Sequence, residues 1–377
     1  MKKYFLGAAA LLALTACSND ETVDLNQDGN VISFAVTANN PSRAAAGEVF
    51  NNAAKPANFT VYAAHGGQTY FENETFTGDA GVYKSANTHY WPSTGDVTFL
   101  AFRNNLGTFN WNANVASTIT GFTIPANASD QKDFIYAFTR KAKTATGQTT
   151  LNFRHGLAQV VFKAQVTNPN LYVEIEGVSV CNAKNKGTFT FPFAGVTDTN
   201  HEDEDEDAFT FDGNTQGVWS AQTGKVNYDL TFASVGIANT QTKNLTAIDA
   251  NRTTDANTLL LLPQNTSKWT VGAHGTTPAA QDGAYFLVKC KIRNVRDTAT
   301  GVQADDVYLW GTALAAADVA VPADFNWEQG KKYVITFVFG NGNGGYDPDN
   351  SDPVLVPISF TITVDDFAKV TENVPMN

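Results

Sequence analysis

Cysteine is scarce in this chain, which has three among 377 residues. One lies near the N-terminus, and the other two, Cys181 and Cys290, are too few for a disulfide-stabilised scaffold. They are expected to be either two buried thiols or one bridge. Basic residues are also few, 25 against 37 acidic ones. The resulting net charge of -12 disfavours nucleic acid or an anionic membrane surface as a partner.

Sequence patterns typical of enzymes and metal sites are missing as well. The five histidines, at positions 65, 89, 155, 201 and 274, lack metal-ligand spacing. There is no P-loop, nucleophile elbow or Cys-x-x-Cys pair. The sequence therefore predicts a non-enzymatic protein with no catalytic residue, metal site or cofactor. We interpret His155 as a structural hydrogen-bonding residue at a strand junction. Trp219 and Trp310 are candidates for stacking on a sugar, and the alternative is that their rings pack in the core.

The N-terminus has no apolar run long enough to span a membrane. Two lysines precede an apolar stretch at 5–14, which is shorter than the ~20 residues that a spanning helix needs. Residues 1–16 are therefore interpreted as a signal peptide. The sequence Leu14-Thr15-Ala16-Cys17 resembles the lipobox of bacterial lipoproteins, which predicts Cys17 as the lipid-attachment residue. The alternative is a soluble secreted protein with a chance cysteine. The acidic stretch at 18–21 favours delivery to the outer face of the outer membrane.

Apolar residues beyond this point alternate with period two, in short runs between Gly, Asn, Asp, Pro and Thr, as in antiparallel strands. Helical periodicity is weak, and a turn or two of helix is expected only near 314–319. The pattern predicts an all-β fold of antiparallel β-sandwiches. The clearest predicted strands lie at 31–38, 59–63, 97–102, 134–138, 160–166, 172–180, 284–291, 333–339 and 358–364.

The mature chain is longer than the chains that usually fold around one hydrophobic core, so two domains are predicted. After a tether over 17–30, the first domain covers 31–168 and the second 169–377, with a terminal strand at 357–367. Polar segments at 201–207 and 340–352 are predicted loops.

Two segments carry oxygen ligands at spacings similar to those of cation sites. Residues 24–29 begin like a calcium loop, but Ala35 stands at the twelfth position, where a bidentate Glu is required. A flexible tether is the alternative for that segment. Asp347, Asp349 and Asp352 fit either a cation site or a solvated linker before the last strand.

Several segments carry a resemblance to a known family when they are taken in order. They are an early strand followed by Ser42-Arg43-Ala44, then Tyr90-Trp91-Pro92, 151–158 (LNFRHGLA), 260–264 (LLLPQ), 327–333 (WEQGKKY) and the ending at 364–367 (VDDF). Together they resemble the fimbrillins, the subunits and accessory proteins of type V pili of anaerobic Gram-negative bacteria. Phe367 departs from the pattern, since a tryptophan is expected there.

The resemblance implies two transthyretin-like β-sandwich domains and a cell-surface role in adhesion or in a pilus. In the best-known fimbrillins an arginine-directed protease removes the first strand. The groove that remains then accepts a strand from the next subunit.

The first and last predicted strands have similar sequences. Residues 31–38 (VISFAVTA) align without a gap on 357–364 (PISFTITV), with four of the eight positions identical. Alternate residues give each strand one apolar face, formed by Ile32, Phe34, Val36 and Ala38 in the first strand and by Ile358, Phe360, Ile362 and Val364 in the last.

One groove is therefore predicted to accept either strand. The last strand carries three more carbons on this face, which favours it by about 2 kcal/mol if the groove has room. The alternatives are a chance match, or two strands that are simply neighbours within one fold.

Arg43 follows the first strand in a segment of proline and small residues, 41–47, which is typical of exposed, protease-sensitive loops. We predict cleavage between Arg43 and Ala44, which removes the lipid anchor and the first strand together. The alternative is an ordinary loop arginine.

The sequence thus predicts a fimbrial subunit that is exported as a lipoprotein, cleaved after Arg43 and polymerised by strand exchange. Its expected partners are other copies of itself or related pilus subunits, a maturation protease, outer membrane lipid through Cys17, and a host or bacterial surface ligand. The alternative is a non-polymerising surface lipoprotein that binds glycan or protein, or a pilus anchor or tip subunit. The expected mark of that alternative is a terminal strand paired within its own sheet.

Overall fold

The computed structural model describes residues 30–38, 55–79, 81–144, 147–193, 216–238, 241–247, 258–277, 283–295 and 306–366. Within these ranges the chain is almost entirely β-structure, and the helical content is a three-residue 3₁₀ turn at Ala128–Asp130. The all-β prediction is confirmed, whereas the transthyretin-like type and the number of domains stay predictions. The described residues include no helix that is long and apolar enough to cross a membrane.

The predicted strands are all present, with ends shifted by a few residues at most. β-branched and aromatic residues dominate them, since these side chains pack well on a pleated surface. In chain order the strands are β1 Ser33–Ala38, β2 Asn58–His65, β3 Gln68–Asp79, β4 Val82–Ser85, β5 Val97–Arg103, β6 Thr108–Asn110, β7 Thr118–Thr123, β8 Ile135–Lys141, β9 Gln148–His155, β10 Ala158–Val166, β11 Leu171–Ala183, β12 Lys186–Thr190, β13 Val218–Thr223, β14 Val226–Ile237, β15 Thr242–Asn244, β16 Leu259–Leu261, β17 Tyr285–Asn294, β18 Val307–Trp310, β19 Ala317–Pro322, β20 Lys331–Phe339 and β21 Ile358–Asp366.

The helix expected near 314–319 is wrong. Thr312 closes a tight turn instead, since its N–H donates to the Ala315 carbonyl at 2.8 Å and its hydroxyl accepts the Leu314 and Ala315 N–H groups. The chain then enters β19, which pairs antiparallel with β17. Pairing with a distant strand therefore overrides the weak local helical pattern.

Seven strands close into a barrel in the order β1-β4-β3-β2-β5-β8-β9. β1 completes the closure, because it runs antiparallel to β4 on one side and parallel to β9 on the other. The barrel core consists of inward-facing aromatic and aliphatic side chains, which alternate with outward-facing residues along each strand. Its largest members are Phe34, Phe59, Phe71, Phe76, Tyr83, Trp91, Phe99 and Phe153.

β5 has a hydrophobic core on each side, which accounts for its uninterrupted apolar sequence. Phe99 and Ala101 face the barrel core, whereas Leu100 and Phe102 belong to a second, larger core. A strand that is covered on both faces has no polar face to alternate with the apolar one. β5 thus joins the barrel to the rest of the molecule.

The larger core draws side chains from three further sheets. Their strand orders are β15-β10-β20-β21 with β16 also paired to β10, β14-β11-β17-β18 with β19 also paired to β17, and β13-β12-β7-β6. Two of these sheets combine strands from before and after residue 168, since β10 pairs with β20 and β7 pairs with β12. The predicted division into 31–168 and 169–377 stays a prediction.

Cys181 and Cys290 are separate, buried thiols. They lie on the neighbouring strands β11 and β17, where Cys181 is opposite Tyr285 and Cys290 is opposite Ile175. The six-residue offset between positions 175 and 181 corresponds to about 20 Å along the strand. A disulfide needs Cα atoms within about 7 Å, so of the two alternatives the structure has the pair of thiols.

Candidate strand-exchange site

β1 is held in the barrel by unequal contacts on its two edges. Along β9 it pairs at six positions, from Ser33 opposite Gln148 to Ala38 opposite Phe153. Along β4 it pairs at the single position of Phe34 opposite Tyr83. Removal of β1 would open the barrel between β4 and β9 and leave the β9 edge without its partner. An exposed strand edge of this kind is a template for an incoming strand.

The apolar face of β1 points into the barrel core. Ile32, Phe34 and Val36 are each at most 2% exposed. The Phe34 ring lies edge-on to Phe76 and Phe99, with centroid distances of 4.8 and 5.1 Å. Phe34 therefore fills the aromatic centre of the barrel, and a replacement strand needs a side chain of that size at the same position.

The start of the strand is fastened by the segment at 89–91. The Ile32 N–H donates to the His89 carbonyl, and the Trp91 N–H donates to the Asn30 carbonyl, both at 2.8 Å. Trp91 is buried, and its indole N–H donates to the Gly147 carbonyl at 2.8 Å. The sequence marked Tyr90-Trp91-Pro92 only through the family resemblance, since no local pattern predicts that it pairs with the residues before β1.

The terminal strand β21 lies at the edge of another sheet. It pairs antiparallel with β20 at nine positions, from Ile358 opposite Phe339 to Asp366 opposite Lys331. The sheet order places β21 last, so its second edge has no partner strand among the described residues. β21 is thus paired within its own chain on one edge, and the part of the chain that the structure describes places no strand on the other.

The apolar face of β21 is buried only in its first half. Ile358 is fully buried, and the Phe360 ring packs edge-on against Phe286 with centroids 5.4 Å apart. Ile362 and Val364 are 43% and 51% exposed. The two strands with matching sequences therefore differ sharply in burial, because the matched positions of β1 that are described lie inside the barrel.

Several predicted positions lie outside the described residues. They include the lipid-attachment residue Cys17, the cleavage positions Arg43 and Ala44, and Phe367. The tether with its partial calcium-loop pattern at 24–29 and the acidic segment at 201–207 also lie outside. The structure tests none of the predictions made for them.

His155 makes a buried polar contact with Asp133. Its Nδ1 lies 2.7 Å from the Asp133 Oδ2, and both side chains are at least 95% buried. The Asp133 backbone carbonyl accepts a hydrogen bond from the Asn104 amide at 2.8 Å. The pair joins the end of β9 to the residues before β8, which is a structural arrangement at a strand junction.

The acidic residues before β21 take part in the hydrogen bonds of their own loop. The Asp347 carboxylate accepts the Asp349 N–H at 2.9 Å, and the Asp347 carbonyl accepts the Ser351 N–H at 2.8 Å. Asp352 pairs with the exposed His274 at 2.7 Å. Among the residues that the structure describes, no three His, Cys, Asp or Glu side chains are grouped to hold a metal ion.

The two tryptophans considered for sugar stacking are partly buried. The Trp219 indole N–H donates to the Gly156 carbonyl at 2.6 Å, and its ring packs against Phe122 and Phe189. The Trp310 indole N–H donates to the Ala317 carbonyl at 3.2 Å. Both rings therefore take part in packing between strands, as a core role requires.

Comparison with known proteins identifies the family. The fimbrillin-like family model matches residues 42–364. The fold is similar to that of a fimbrial protein from Bacteroides vulgatus, at 14% identity and a TM-score of 0.53, over 89% of this chain and 99% of that one. A candidate cell adhesion protein from Bacteroides uniformis is 12% identical, with a TM-score of 0.42, over 90% and 99% of the two chains. No curated protein matches the chain. Because the family model covers most of its length, the chain belongs to the fimbrillin-like family.

Proposed function

We propose that this protein is a structural subunit of cell-surface fimbriae, polymerised by the exchange of one strand between copies. The observation that carries the proposal is the relation between β1 and β21. β1 is a single buried strand that closes a barrel, and β21 repeats its apolar row as the last strand of a described sheet, with Ile362 and Val364 exposed. Family membership supports the fimbrial role.

In this proposal the precursor is exported as a lipoprotein with its lipid on Cys17, and it reaches the outer face of the outer membrane. Cleavage between Arg43 and Ala44 then releases the anchor and β1, since both precede the cut. The vacated groove exposes an aromatic lining, including Phe76 and Phe99, to water. The groove then accepts β21 of another copy or of a related pilus subunit. The maturation protease is a further partner of the precursor.

The free energy of exchange depends on the two halves of β21. Ile358 and Phe360 exchange one packed environment for another, so their contribution is small. Ile362 passes from 43% exposed to the buried place of Val36, which contributes about 1 kcal/mol. The extra methylene of Ile362 enters the place of Val36, which is already fully buried. Overpacking at that position costs about 1 kcal/mol or more, so the sequence estimate is an upper bound.

A fimbrial subunit acts by binding surfaces and by polymerising, and it needs neither a cofactor nor a catalytic residue. The proposed location is the fimbrium at the cell surface. A host or bacterial surface ligand is the proposed target of adhesion. Its chemistry is open, because the tryptophans that suggested a glycan are packed between strands.

The experiment changes the half of β21 that is exposed in the subunit. The double variant Ile362→Asp with Val364→Asp places charges on the face that the groove buries, and it spares the subunit's own core. The matched control, Thr361→Asp with Thr363→Asp, places the same charges on the opposite face of the same strand. We expect heat-resistant polymer ladders on a mild gel from the control and their loss from the first variant. Normal ladders from the first variant would refute strand exchange.

The alternative function is a non-polymerising surface protein, either a glycan- or protein-binding lipoprotein or a pilus anchor or tip subunit. One observation favours it, since β21 pairs with β20 of its own chain at nine positions. Under this alternative β1 and Cys17 stay in the mature protein. Wild-type cells would then show no heat-resistant ladder and no conversion of a longer to a shorter form.

A further inference from the structure

We infer that the groove accepts the terminal strand in one register only, with Pro357 in the place of Val31 and Phe360 in the place of Phe34. This inference rests on the strand exchange proposed above. Each residue of the incoming strand then occupies one defined position of the groove. The segment at 89–91 and Gly147 are the groove residues that select this register.

The backbone hydrogen bonds around Val31 identify a position that tolerates a proline. Val31 lies opposite Tyr90 in an antiparallel bridge. The two hydrogen bonds of that bridge use the N–H of Ile32 and the carbonyl of Asn30. They flank Val31, whose own N–H belongs to neither bond, as in a non-hydrogen-bonded antiparallel pair. Proline has no N–H to donate, so Pro357 at this position preserves both bonds.

A shift of two residues is the smallest one that keeps the apolar residues on the buried face. A shift toward the end of the groove puts Pro357 in the place of Ser33. The Ser33 N–H donates to the Gly147 carbonyl at 3.3 Å, and proline would remove that bond. The same shift drives the Phe360 ring into the fully buried place of Val36, which overpacks the core.

The opposite shift fails for a different reason. It puts Ile362 in the place of Phe34, which lies between the rings of Phe76 and Phe99. An isoleucine leaves part of that aromatic space empty, and a buried cavity is destabilising. It also forces the Phe360 ring into the smaller, buried place of Ile32.

The proposed register also keeps the first backbone N–H of the incoming strand hydrogen-bonded. In its own chain the Ile358 N–H donates to the Gly344 carbonyl at 2.7 Å. In the groove the same N–H takes the place of the Ile32 N–H and donates to the His89 carbonyl. The Ile358 N–H is therefore satisfied both before and after exchange.

Disulfide trapping between copies reads the register directly. In the barrel Ala35 lies opposite Thr150, with Ser33 opposite Gln148 and Thr37 opposite Asn152. Thr361 corresponds to Ala35, so we combine Thr361→Cys with Thr150→Cys, Gln148→Cys or Asn152→Cys in three full-length chains. Within one chain Thr361 lies opposite Thr336 on β20, so a bond to β9 marks an exchanged strand. Thr361→Cys alone controls for the native cysteines.

We expect cells that carry the Thr150→Cys combination to give a disulfide-linked ladder, which disappears under reducing conditions. Cells that carry either of the other two combinations should give no disulfide-linked ladder. A ladder strongest with Gln148→Cys or Asn152→Cys would overturn the register and leave strand exchange intact. Heat-resistant polymers with no reducible bond in any combination would also overturn the register. Absence of both polymers and reducible bonds would overturn the proposed function together with the register.

Discussion

The indole N–H of Trp91 donates to the carbonyl oxygen of Gly147 at 2.8 Å. The same carbonyl accepts the N–H of Ser33 at 3.3 Å, so one oxygen connects the buried tryptophan to the start of β1. Trp91 also packs edge-on against Phe99, with centroids 5.5 Å apart. The fastening of β1 thus depends on a side chain far from it in sequence.

Replacement of Trp91 by phenylalanine keeps an aromatic ring and removes the indole donor. We expect Trp91→Phe to lower the free energy of unfolding by about 1–3 kcal/mol, because a buried hydrogen bond is lost. Urea unfolding of the full chain measures the change. The matched control is Trp111→Phe, whose indole donates to the Thr69 hydroxyl at an exposed site. Equal effects of the two substitutions would contradict the role of the Gly147 bond.

The two histidine–aspartate pairs have the same 2.7 Å distance and differ in burial. Asp133→Ala removes the buried carboxylate that lies 2.7 Å from His155 Nδ1, and we expect a loss of about 1–3 kcal/mol of unfolding free energy. Asp352→Ala, at the exposed pair with His274, should change it by less than about 1 kcal/mol. Urea unfolding of both variants makes the comparison. Similar losses at the two sites would show that burial is not the deciding factor.

Much of the strand content could be predicted from the sequence. β5 and β20 have apolar runs that need only local pattern to be recognised, and the apolar face of β1 follows from strict alternation. The structural role of His155 was also accessible, since a lone histidine without metal-ligand spacing is usually a hydrogen-bonding residue.

Long-range pairing could not be predicted in the same way. The parallel pairing of β1 with β9 and the bridge between Val31 and Tyr90 join segments that are far apart in the chain. Alternation defines the buried face of a strand and does not identify its neighbours. The same limit explains why the helix predicted at 314–319 is wrong, because pairing of β19 with β17 decides the structure there.

The carboxylate of Glu74 lies beside the segment that fastens β1. Burial raises its pKa, but hydrogen bonds from Ser85 and Asn87, together with the nearby His89 ring, outweigh burial and leave the pKa below its ordinary value. A lowered pKa means that the ionised form stabilises the fold above the ordinary value of 4.5.

We therefore expect Glu74→Gln to be less stable than the wild type at pH 7. The difference should shrink as the pH falls from the ordinary value through the lowered pKa, where the folded carboxylate becomes protonated. Urea midpoints of both proteins at neutral and acidic pH test this. A difference that is independent of pH would show that the charge of Glu74 is not what stabilises the segment.

The two buried cysteines should resist alkylation in the folded protein. Burial raises the pKa of Cys181 to about 12 and raises that of Cys290 as well, so little thiolate exists at pH 8. We expect iodoacetamide to label neither residue in the native protein and both residues in urea, as read by peptide mass spectrometry. Labelling of either cysteine without denaturant, or failure to label both in urea without reductant, would contradict the two buried thiols.

Strand exchange requires that β1 leave the subunit, and the N-terminus of the assembled protein reports this most directly. Mass spectrometry of chains recovered from surface polymers identifies the first residue. If strand exchange forms the polymer, these chains begin at Ala44, without Cys17 and without the 31–38 segment. A lipidated Cys17 at the start of all the polymeric material would contradict it.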